Sequence, residues 1–346
     1  MKRIHCNIIG TATDAPFIQA DNGHVYVGHV ENQRVTFPLQ NYDTGGAYLR
    51  WLDQAARFII PLDPGDYEGG SIGLPDLTYS IVPVLKPIHI DGTRFADSDG
   101  KTWIWKGCTD FLLYKYFLEG QDITHLLKER VALGANLVRV LGMAHYIDQF
   151  YPQRYHAYYD ELAGFANLLA LYGLSLEFVT FADQQVIQIP EQAHFIDCCT
   201  ALRGIPNVFI ELCNEYPKNG IDPRHFAKPA GLMASAGSAL ADAAPAVFWD
   251  FFGWHGRRDW PKVTSSAEDM WYVIRQQGIP GVHDEPARRD RPVEYNANLA
   301  AQLAASALVL GSGATFHSPD GIRSESFSEQ TRSDARAFFN ALNPQE

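Results

Sequence analysis

The chain has 346 residues, of which 46% are apolar and 20% are charged, and its formal net charge is −12. This length and composition are typical of a large globular protein, and the dispersed acidic charge argues against nucleic acid or an anionic membrane as a partner. No apolar run is long enough for a signal-peptide core or a transmembrane span. We therefore expect a soluble protein, either cytoplasmic or, if a leader has been removed, secreted.

Five cysteines stand at positions 6, 108, 198, 199 and 213. Their spacing matches no metal-ligand motif, and their odd number argues against a disulfide framework. We expect most of them to be small buried side chains in a reducing compartment. The sequence predicts neither a metal site nor an organic cofactor.

Residues 1–91 contain short strand-like segments separated by Gly, Pro, Asp and Asn. Asn22-Gly23 lies between Pro16-Phe-Ile and His24-Val-Tyr-Val, which is a strong signal for a two-residue hairpin. We predict a small β-rich N-terminal module over residues 1–91. It would serve either as a carbohydrate-binding or assembly module, or as a brace for the rest of the chain.

Residues 92–346 show alternating strand and helix patterns. The first strand, over 103–108, follows a hairpin that turns at Asp99-Gly100. The later elements, in chain order, are a helix over 122–133, a strand over 136–141, a helix face over 162–169, a strand over 175–181, a helix over 190–202, a strand over 207–215, a segment at 231–237 that fits a strand or a helix, a strand over 246–255, a helix over 266–276, a strand over 279–285, a helix over 296–310, a strand over 314–317 and a helix over 325–342.

Eight such repeats in about 250 residues predict an α/β fold, a (β/α)8 TIM barrel. A doubly wound open sheet is the alternative, but no Gly-rich phosphate loop follows the first strand. In a barrel the carboxyl ends of the strands form the catalytic face. Four chemically capable side chains fall at such ends: Glu215, His255, Glu285 and His317.

Glu215 and Glu285 end the predicted fourth and seventh strands, so barrel closure would bring them together. Cleavage of a glycosidic bond with retention needs two carboxyl groups about 5–5.5 Å apart. One acts as nucleophile, and the other must carry a proton near neutral pH, which burial and a neighbouring carboxylate favour.

Four segments resemble the clan A glycoside hydrolases, the superfamily of the family 5 cellulases and mannanases. They lie within residues 94–320 and read Trp105-Lys-Gly, Gly134-Ala-Asn-Leu-Val-Arg-Val, Glu211-Leu-Cys-Asn-Glu and His283-Asp-Glu-Pro. The resemblance implies that Glu215 is the acid/base and Glu285 the nucleophile. It further implies that Asn214 bonds the sugar 2-hydroxyl and that Arg139 holds the nucleophile ionised.

The residue types agree with these roles but leave alternatives open. Arg139 is an obligate cation in an apolar strand and requires a carboxylate partner, here or lower in the barrel. His255 matches the sixth-strand histidine of many clan members, or serves packing. For Glu177, near another strand end, a structural role is favoured.

Aromatic side chains crowd the predicted mouth, where they would stack on sugar rings. The predicted substrate-binding side chains beyond Asn214, Arg139 and His255 are Tyr216, Trp254, Trp260, Phe316 and His317. Two features depart from the family 5 pattern. Tyr216 intervenes before Pro217, where the signature continues directly with proline, and the eighth strand offers Phe316 and His317 instead of a tryptophan.

The sequence therefore predicts a retaining glycoside hydrolase that acts on a β-linked oligo- or polysaccharide. One alternative is a non-catalytic carbohydrate-binding or assembly protein, of a phage or a cell surface, on a barrel scaffold. Another is a metal-dependent barrel hydrolase, which would need His255, His283 and His317 to converge with an acid. The oligomeric state is left open.

Overall fold

A computed structural model of the chain describes residues 85–343, apart from 183–188, 206–207, 241–242, 259–264 and 291–293, together with the backbone of seven strands in the first 60 residues. The chain divides into two compact units. One consists of Met1–Val84 with Asp160–Gly173, and the other of Leu85–Tyr159 with Leu174–Glu346.

The described N-terminal segments are all β-strands, which form two antiparallel sheets, in the orders β1-β5-β4 and β3-β2-β6-β7. Their bounds are β1 Lys2–Asn7, β2 Phe17–Ala20, β3 Val25–Val27, β4 His29–Glu31, β5 Arg34–Leu39, β6 Ala47–Arg50 and β7 Phe58–Ile60. The strands β2 and β3 pair antiparallel, with Phe17 opposite Val27 and Gln19 opposite Val25. The pairing of neighbouring strands agrees with a hairpin, but its register does not match a two-residue turn at Asn22-Gly23, which would place Ala20 opposite Val25. Residues 21–24 themselves lie outside the described part. The β-rich character is confirmed, whereas the boundary at residue 91 and the role of this region stay predictions.

The second unit contains a small antiparallel sheet, followed by eight parallel strands. The small sheet consists of β8 Ile88–Asp91, β9 Arg94–Asp97 and β10 Thr102–Trp103. The parallel strands are β11 Trp105–Thr109, β12 Leu137–Leu141, β13 Ser175–Phe181, β14 Val208–Cys213, β15 Met233–Ser235, β16 Phe252–His255, β17 Gly281–Glu285 and β18 Gly313–Phe316. The ambiguous segment at 231–237 is therefore a strand.

The eight parallel strands follow the order β15-β14-β13-β12-β11-β18-β17-β16. Asp250, which precedes β16, forms two hydrogen bonds with Ala234 of β15. Its N–H donates to the carbonyl of Ala234 (3.0 Å), and its Oδ2 accepts from the Ala234 N–H (3.1 Å). Asp250 thus lies outside β16, which is shorter than the predicted strand 246–255. The predicted (β/α)8 barrel is confirmed.

Helices alternate with these strands along the chain. Within the described residues their bounds are α1 Leu113–Leu118, α2 Thr124–Leu133, α3 His145–Asp148, α4 Leu162–Leu171, α5 Glu191–Leu202, α6 Tyr216–Asn219, α7 Ser266–Gln277, α8 Ala297–Leu310, α9 Pro319–Ile322 and α10 Glu329–Ala341. Among these described helices, none combines the length and the apolar character that crossing a membrane would require.

The lower part of the barrel is filled by aromatic side chains. Phe95 of β9 inserts its ring among those of Trp105, Phe209 and Phe251, with centroid distances of 5.6 to 5.8 Å. Leu137 belongs to the same buried cluster. The small sheet therefore closes the barrel at the amino-terminal ends of its strands, opposite the catalytic face of such folds.

A polar layer lies two residues further along the same strands. Alternate residues of a strand face the same side, so Arg139 follows Leu137 inward and Glu211 follows Phe209. Asp284 likewise follows Val282 on β17, and all three polar side chains are buried. A buried arginine and buried carboxylates persist in a barrel only when they neutralise one another, and this layer forms the floor of the candidate site.

Four of the five cysteines have described side chains, and each is a buried free thiol, as predicted. Burial raises the pKa of the Cys199 thiol to about 12. These thiols therefore stay protonated and pack as small apolar groups.

Candidate active site

Arg139 is the central cation of the site and is fully buried. Its Nε and Nη2 donate to one oxygen of Glu211 (3.1 and 2.7 Å), its Nη1 donates to Glu285 Oε1 (2.9 Å), and Nη2 also reaches Asn214 Oδ1 (3.1 Å). Glu177 lies 3.4 Å away as a further ion pair. Burial lowers the pKa of Arg139, but the carboxylates outweigh burial and raise it well above its ordinary value.

Carboxyl groups outnumber the arginine in this floor. One oxygen each of Glu177, Glu211 and Asp284 lie within 4.8 Å of one another. Burial raises the pKa of Asp284 to about 7 and that of Glu177 well above its ordinary value. Both Glu177 oxygens and Asp284 Oδ2 lack hydrogen-bond partners among the described residues. The floor therefore holds protons as well as charges, and the structural role favoured for Glu177 agrees with its position.

Glu285 ends β17 directly above this floor. Its Oε1 accepts from Arg139, and its Oε2 accepts from Arg258 Nη2 at 2.6 Å. His255 Nδ1 and His317 Nε2 lie 3.8 and 4.0 Å from Oε2. Burial raises the pKa of Glu285, but its interactions with His255, Arg258 and Arg139 outweigh burial and hold it well below the ordinary range. Glu285 is therefore ionised.

Glu215 follows β14 in the left-handed backbone region, with φ of 44°. A non-glycine residue in that region is strained, and such strain concentrates at functional sites. The Glu215 N–H donates to Ser238 Oγ (2.9 Å), which holds the turn. One oxygen each of Glu215 and Glu285, together with a nitrogen of His255, lie within 4.8 Å of one another.

Two neighbouring side chains, His255 and Lys218, hold Glu215 ionised. His255 Nδ1 lies 3.6 Å from Oε1, and Lys218 Nζ lies 3.1 Å from Oε2. The pKa of Glu215 is lowered to about 2, chiefly by His255, with a smaller effect from Lys218, while burial and Glu285 oppose them. At 3.6 Å the contact with His255 is an ion-pair distance and not a hydrogen bond. The low pKa of Glu215 therefore depends mainly on its contact with His255.

The departure at Tyr216 has a structural reason. Helix α6 begins at Tyr216, and the Tyr216 N–H donates to the carbonyl of Ser238 (3.1 Å). A proline at this position would have no N–H to donate. The Tyr216 hydroxyl accepts from the Ala246 N–H (2.7 Å), and the side chain is buried. Tyr216 therefore supports the turn after Glu215 and does not offer a free ring to a sugar, which corrects the predicted stacking role.

Two other predicted platform residues also lie away from the mouth. Trp254 is buried, and its indole N–H donates to Ser266 Oγ of α7 (3.2 Å). Phe316 is buried among aromatic rings of the outer layer, including Phe338 at 5.4 Å. Neighbouring residues of a strand face opposite sides, so His255 and His317 face the site while Trp254 and Phe316 face the helices. Both stacking assignments are wrong, and Trp260 lies outside the described residues.

The histidines do not converge as a metal site would require. His317 Nε2 faces Arg288 Nη1 (2.8 Å), and because arginine can only donate, Nε2 accepts. His317 Nδ1 then carries the hydrogen that is donated to Thr109 Oγ1 (3.0 Å). Burial lowers the pKa of His317, in agreement with a neutral ring. His283 lies instead beside Ser266 Oγ (3.3 Å), so the predicted alternative that required His255, His283 and His317 together is not met.

The structure thus brings together Glu215, Glu285, Asn214, Arg139 and His255, whose roles stay predictions. Sequence reasoning missed three contributors: Glu211, Asp284 and Arg258. For the first two a signal existed, because each lies two residues after an inward-facing apolar residue of its strand. Arg258 lies three residues past the end of β16, and no periodic pattern extends that far.

A groove of about 600 Å³ lies at the opposite end of the barrel. It is lined by residues 87–90, 204–205 and 228–233. Lys228 and Asp250, both in its lining, form an ion pair. This is the end of the barrel at which strands begin, and in such folds it serves stability and not chemistry.

No protein-family model matches the chain, and no curated protein is detectably similar to it in sequence. Solved structures are similar in fold. A β-glucanase from Saccharophagus degradans in complex with cellotetraose has 16% identity and a TM-score of 0.55, over 78% of this chain and 99% of that one. Its native form has a TM-score of 0.50 at 16% identity, over 69% and 88% of the two chains.

A glycoside hydrolase of family 5 from Bacteroides vulgatus has 13% identity and a TM-score of 0.51. The match covers 68% of this chain and 63% of that one, so the chain spans less than two thirds of that protein's length. At these identities the comparisons show the fold alone. The chain has a (β/α)8 fold similar to that of these glycoside hydrolases, as the resemblance implied.

Proposed function

We propose that this protein is a retaining glycoside hydrolase that cleaves a β-linked saccharide by double displacement. The observation that carries the proposal is the approach of one oxygen of Glu215, after β14, to one of Glu285, at the end of β17, within 4.8 Å. Retention requires carboxyl groups about 5–5.5 Å apart, whereas inversion requires about 6.5–9.5 Å to admit a water molecule. The spacing therefore supports retention.

In the first step Glu285 Oε2 bonds to the anomeric carbon, while the bond from that carbon to the glycosidic oxygen breaks. The leaving oxygen takes the proton of Glu215. In the second step Glu215 removes a proton from water, the water oxygen bonds to the anomeric carbon, and the ester bond to Glu285 breaks. Arg139 keeps Glu285 ionised and oriented through Oε1, and Asn214, whose Oδ1 accepts from Arg139, has Nδ2 left to donate to a sugar hydroxyl.

The proton on Glu215 is supplied through its contact with His255. In the free protein this contact favours ionised Glu215. Burial and the charge of Glu285 act in the opposite direction and favour the protonated acid. A bound sugar that excludes water strengthens both of these effects and moves the proton onto Glu215.

The test compares Glu215→Gln and Glu285→Gln with the wild type on aryl β-glycosides, β-glucan and β-mannan. Glu268→Gln is the matched control, because Glu268 is an exposed acid of α7. We expect loss of Glu215 to lower the rate about 10²- to 10⁴-fold on substrates with poor leaving groups. We expect a larger loss for Glu285→Gln and no change for the control.

Product stereochemistry provides the second measurement. Proton NMR of the first-formed sugar should show the β-anomer before mutarotation. The α-anomer, or full activity of either glutamine variant, would contradict the proposal. Saccharide binding without any turnover would instead support the non-catalytic alternative.

A further inference from the structure

The two oxygens of Glu285 are held by arginines of different character. Oε1 accepts from Arg139, whose guanidinium is fully buried and is bonded to two further side chains in the floor. Oε2 accepts from Arg258 Nη2 at 2.6 Å. Arg258 is 21% exposed, and its Nε is buried without a hydrogen-bond partner among the described residues.

The contact of Arg258 conflicts with attack by Oε2. Oε1 is engaged in the floor, so Oε2 is the oxygen that faces the mouth and would bond to the anomeric carbon. A guanidinium at 2.6 Å takes one lone pair of that oxygen and stabilises its charge, which lowers its nucleophilicity until the guanidinium moves away. Moving it leaves a largely desolvated cation without its anion, which is costly unless another anion replaces Glu285.

The surroundings of Oε2 are those of an anion site. Arg258 bonds Oε2 directly, and His255 and His317 lie within 4.0 Å of it. Arg288 lies behind His317, to which it donates at 2.8 Å. A neutral hydroxyl group would not compensate the guanidinium of Arg258 in this setting, whereas a carboxylate would bond it through both oxygens.

We propose that the substrate carries a carboxylate on the sugar to be cleaved, as a β-linked hexuronic acid does, and that Arg258 transfers from Glu285 to that carboxylate when the substrate binds. This inference rests on the proposed glycosidase function. The exchange frees Oε2 for attack only when a uronate is present. Arg258 therefore selects for anionic sugars and withholds the nucleophile from neutral ones.

The first test compares 4-nitrophenyl β-D-glucuronide with 4-nitrophenyl β-D-glucoside, which differ in the carboxylate. We expect the wild type to prefer the glucuronide. Arg258→Gln should lower kcat/KM for the glucuronide about 100-fold and lower that for the glucoside much less, so that the preference is lost. Arg258→Lys should recover part of the loss, and Arg275→Gln, on the exposed face of α7, is the control. Equal losses on both substrates, or a preference of the wild type for the glucoside, would overturn the inference and leave the glycosidase function standing.

The second test does not need turnover. Glucuronate and Glu285 compete for Arg258, so Glu285→Gln should bind glucuronate about 10- to 100-fold more tightly than the wild type does, measured by calorimetry. The double variant Glu285→Gln/Arg258→Gln should lose this gain, and glucose should show none. If Glu285→Gln binds glucuronate no better than glucose, the inference fails. If it binds glucuronate as expected but no glycoside is hydrolysed by the wild type, the anion site stands and the proposed hydrolase fails.

Discussion

The floor and the mouth of the site are both built from arginines and carboxylates, yet they differ in how firmly the arginine of each layer is held. In the floor, Arg139 is enclosed by the barrel and bonded to Glu211, Glu285 and Asn214. In the mouth, Glu215 faces His255 and the exposed Lys218 at ion-pair distances, and Arg258 is 21% exposed. Arg139 therefore keeps its partners in the floor, whereas the charged groups of the mouth can exchange theirs.

This difference follows from burial. A buried ion pair that loses one partner leaves an uncompensated charge in a medium of low dielectric constant, so the floor resists change. Near the rim, water and a ligand can replace a lost partner. The same residue types can therefore serve stability in one layer and chemistry in the next.

The largest effect is expected from removing the central cation. Arg139→Gln would leave the carboxyls of Glu177, Glu211 and Glu285 without their shared partner. We expect the free energy of unfolding to fall by about 3–5 kcal/mol, measured by urea denaturation at pH 7. Arg258→Gln is the comparison for the mouth, and we expect it to lower the free energy of unfolding by much less. An equal loss of stability in the two variants would contradict the distinction between the layers.

The protonated carboxyl of Asp284 gives the floor a pH dependence. Its pKa is raised in the folded state to about 7 from an ordinary value of 3.8, so the folded state binds its proton more tightly. The contribution to stability is therefore largest below about pH 4 and is lost as the pH rises to about 7. Asp284→Asn should flatten the dependence of the unfolding free energy in that window by up to about 1.4 kcal/mol per pH unit. An unchanged slope would show that Asp284 is ionised in the folded protein.

Removal of His255 tests its contact with Glu215 in the mouth. In His255→Gln the pKa of Glu215 should rise from about 2, because burial and Glu285 are then opposed only by Lys218. The basic limb of the pH profile of kcat/KM should move to higher pH, since the acid stays protonated longer. Titration of Glu215 by carbon NMR, with Glu215→Gln to assign the signal, checks the shift directly. A fall in this pKa would contradict the pairing.

The smallest effect is expected at the rim. Lys218 is 68% exposed and bonds Glu215 Oε2 at 3.1 Å. Exposed ion pairs contribute less than about 1 kcal/mol, so Lys218→Ala should raise the pKa of Glu215 by less than about one unit. The same NMR titration measures this pKa. A shift in Lys218→Ala as large as that in His255→Gln would contradict the smaller contribution assigned to Lys218.

Much of the fold followed from periodic patterns that are local in sequence. Alternating strand and helix signals predicted the barrel and placed Glu215 and Glu285 at strand ends, because local pattern and backbone propensity agree in most elements. The segment at 231–237 stayed ambiguous, since three strand residues carry too short a pattern. The predicted length of the sixth strand was wrong because the pairing of Asp250 with Ala234 is a tertiary contact.

The candidate site was predicted in its chain positions but not in its contacts. The residue types of Trp254 and Phe316 fit sugar stacking, but both side chains face the helices. Their strand neighbours His255 and His317 face the site instead. Arg258 lies on no periodic element, and its bond to Glu285 joins residues on different parts of the barrel. No local pattern carries that information.

The sequence by itself determined the barrel, the two glutamates at its catalytic end and the need of Arg139 for an anion. Tertiary structure alone decided which anions Arg139 meets, which rings face the helices, and that Arg258 covers the nucleophile. The physical reason is that backbone periodicity is encoded within a few residues. Charge pairing in a closed barrel instead depends on residues such as Arg139 and Glu285, which lie 146 positions apart.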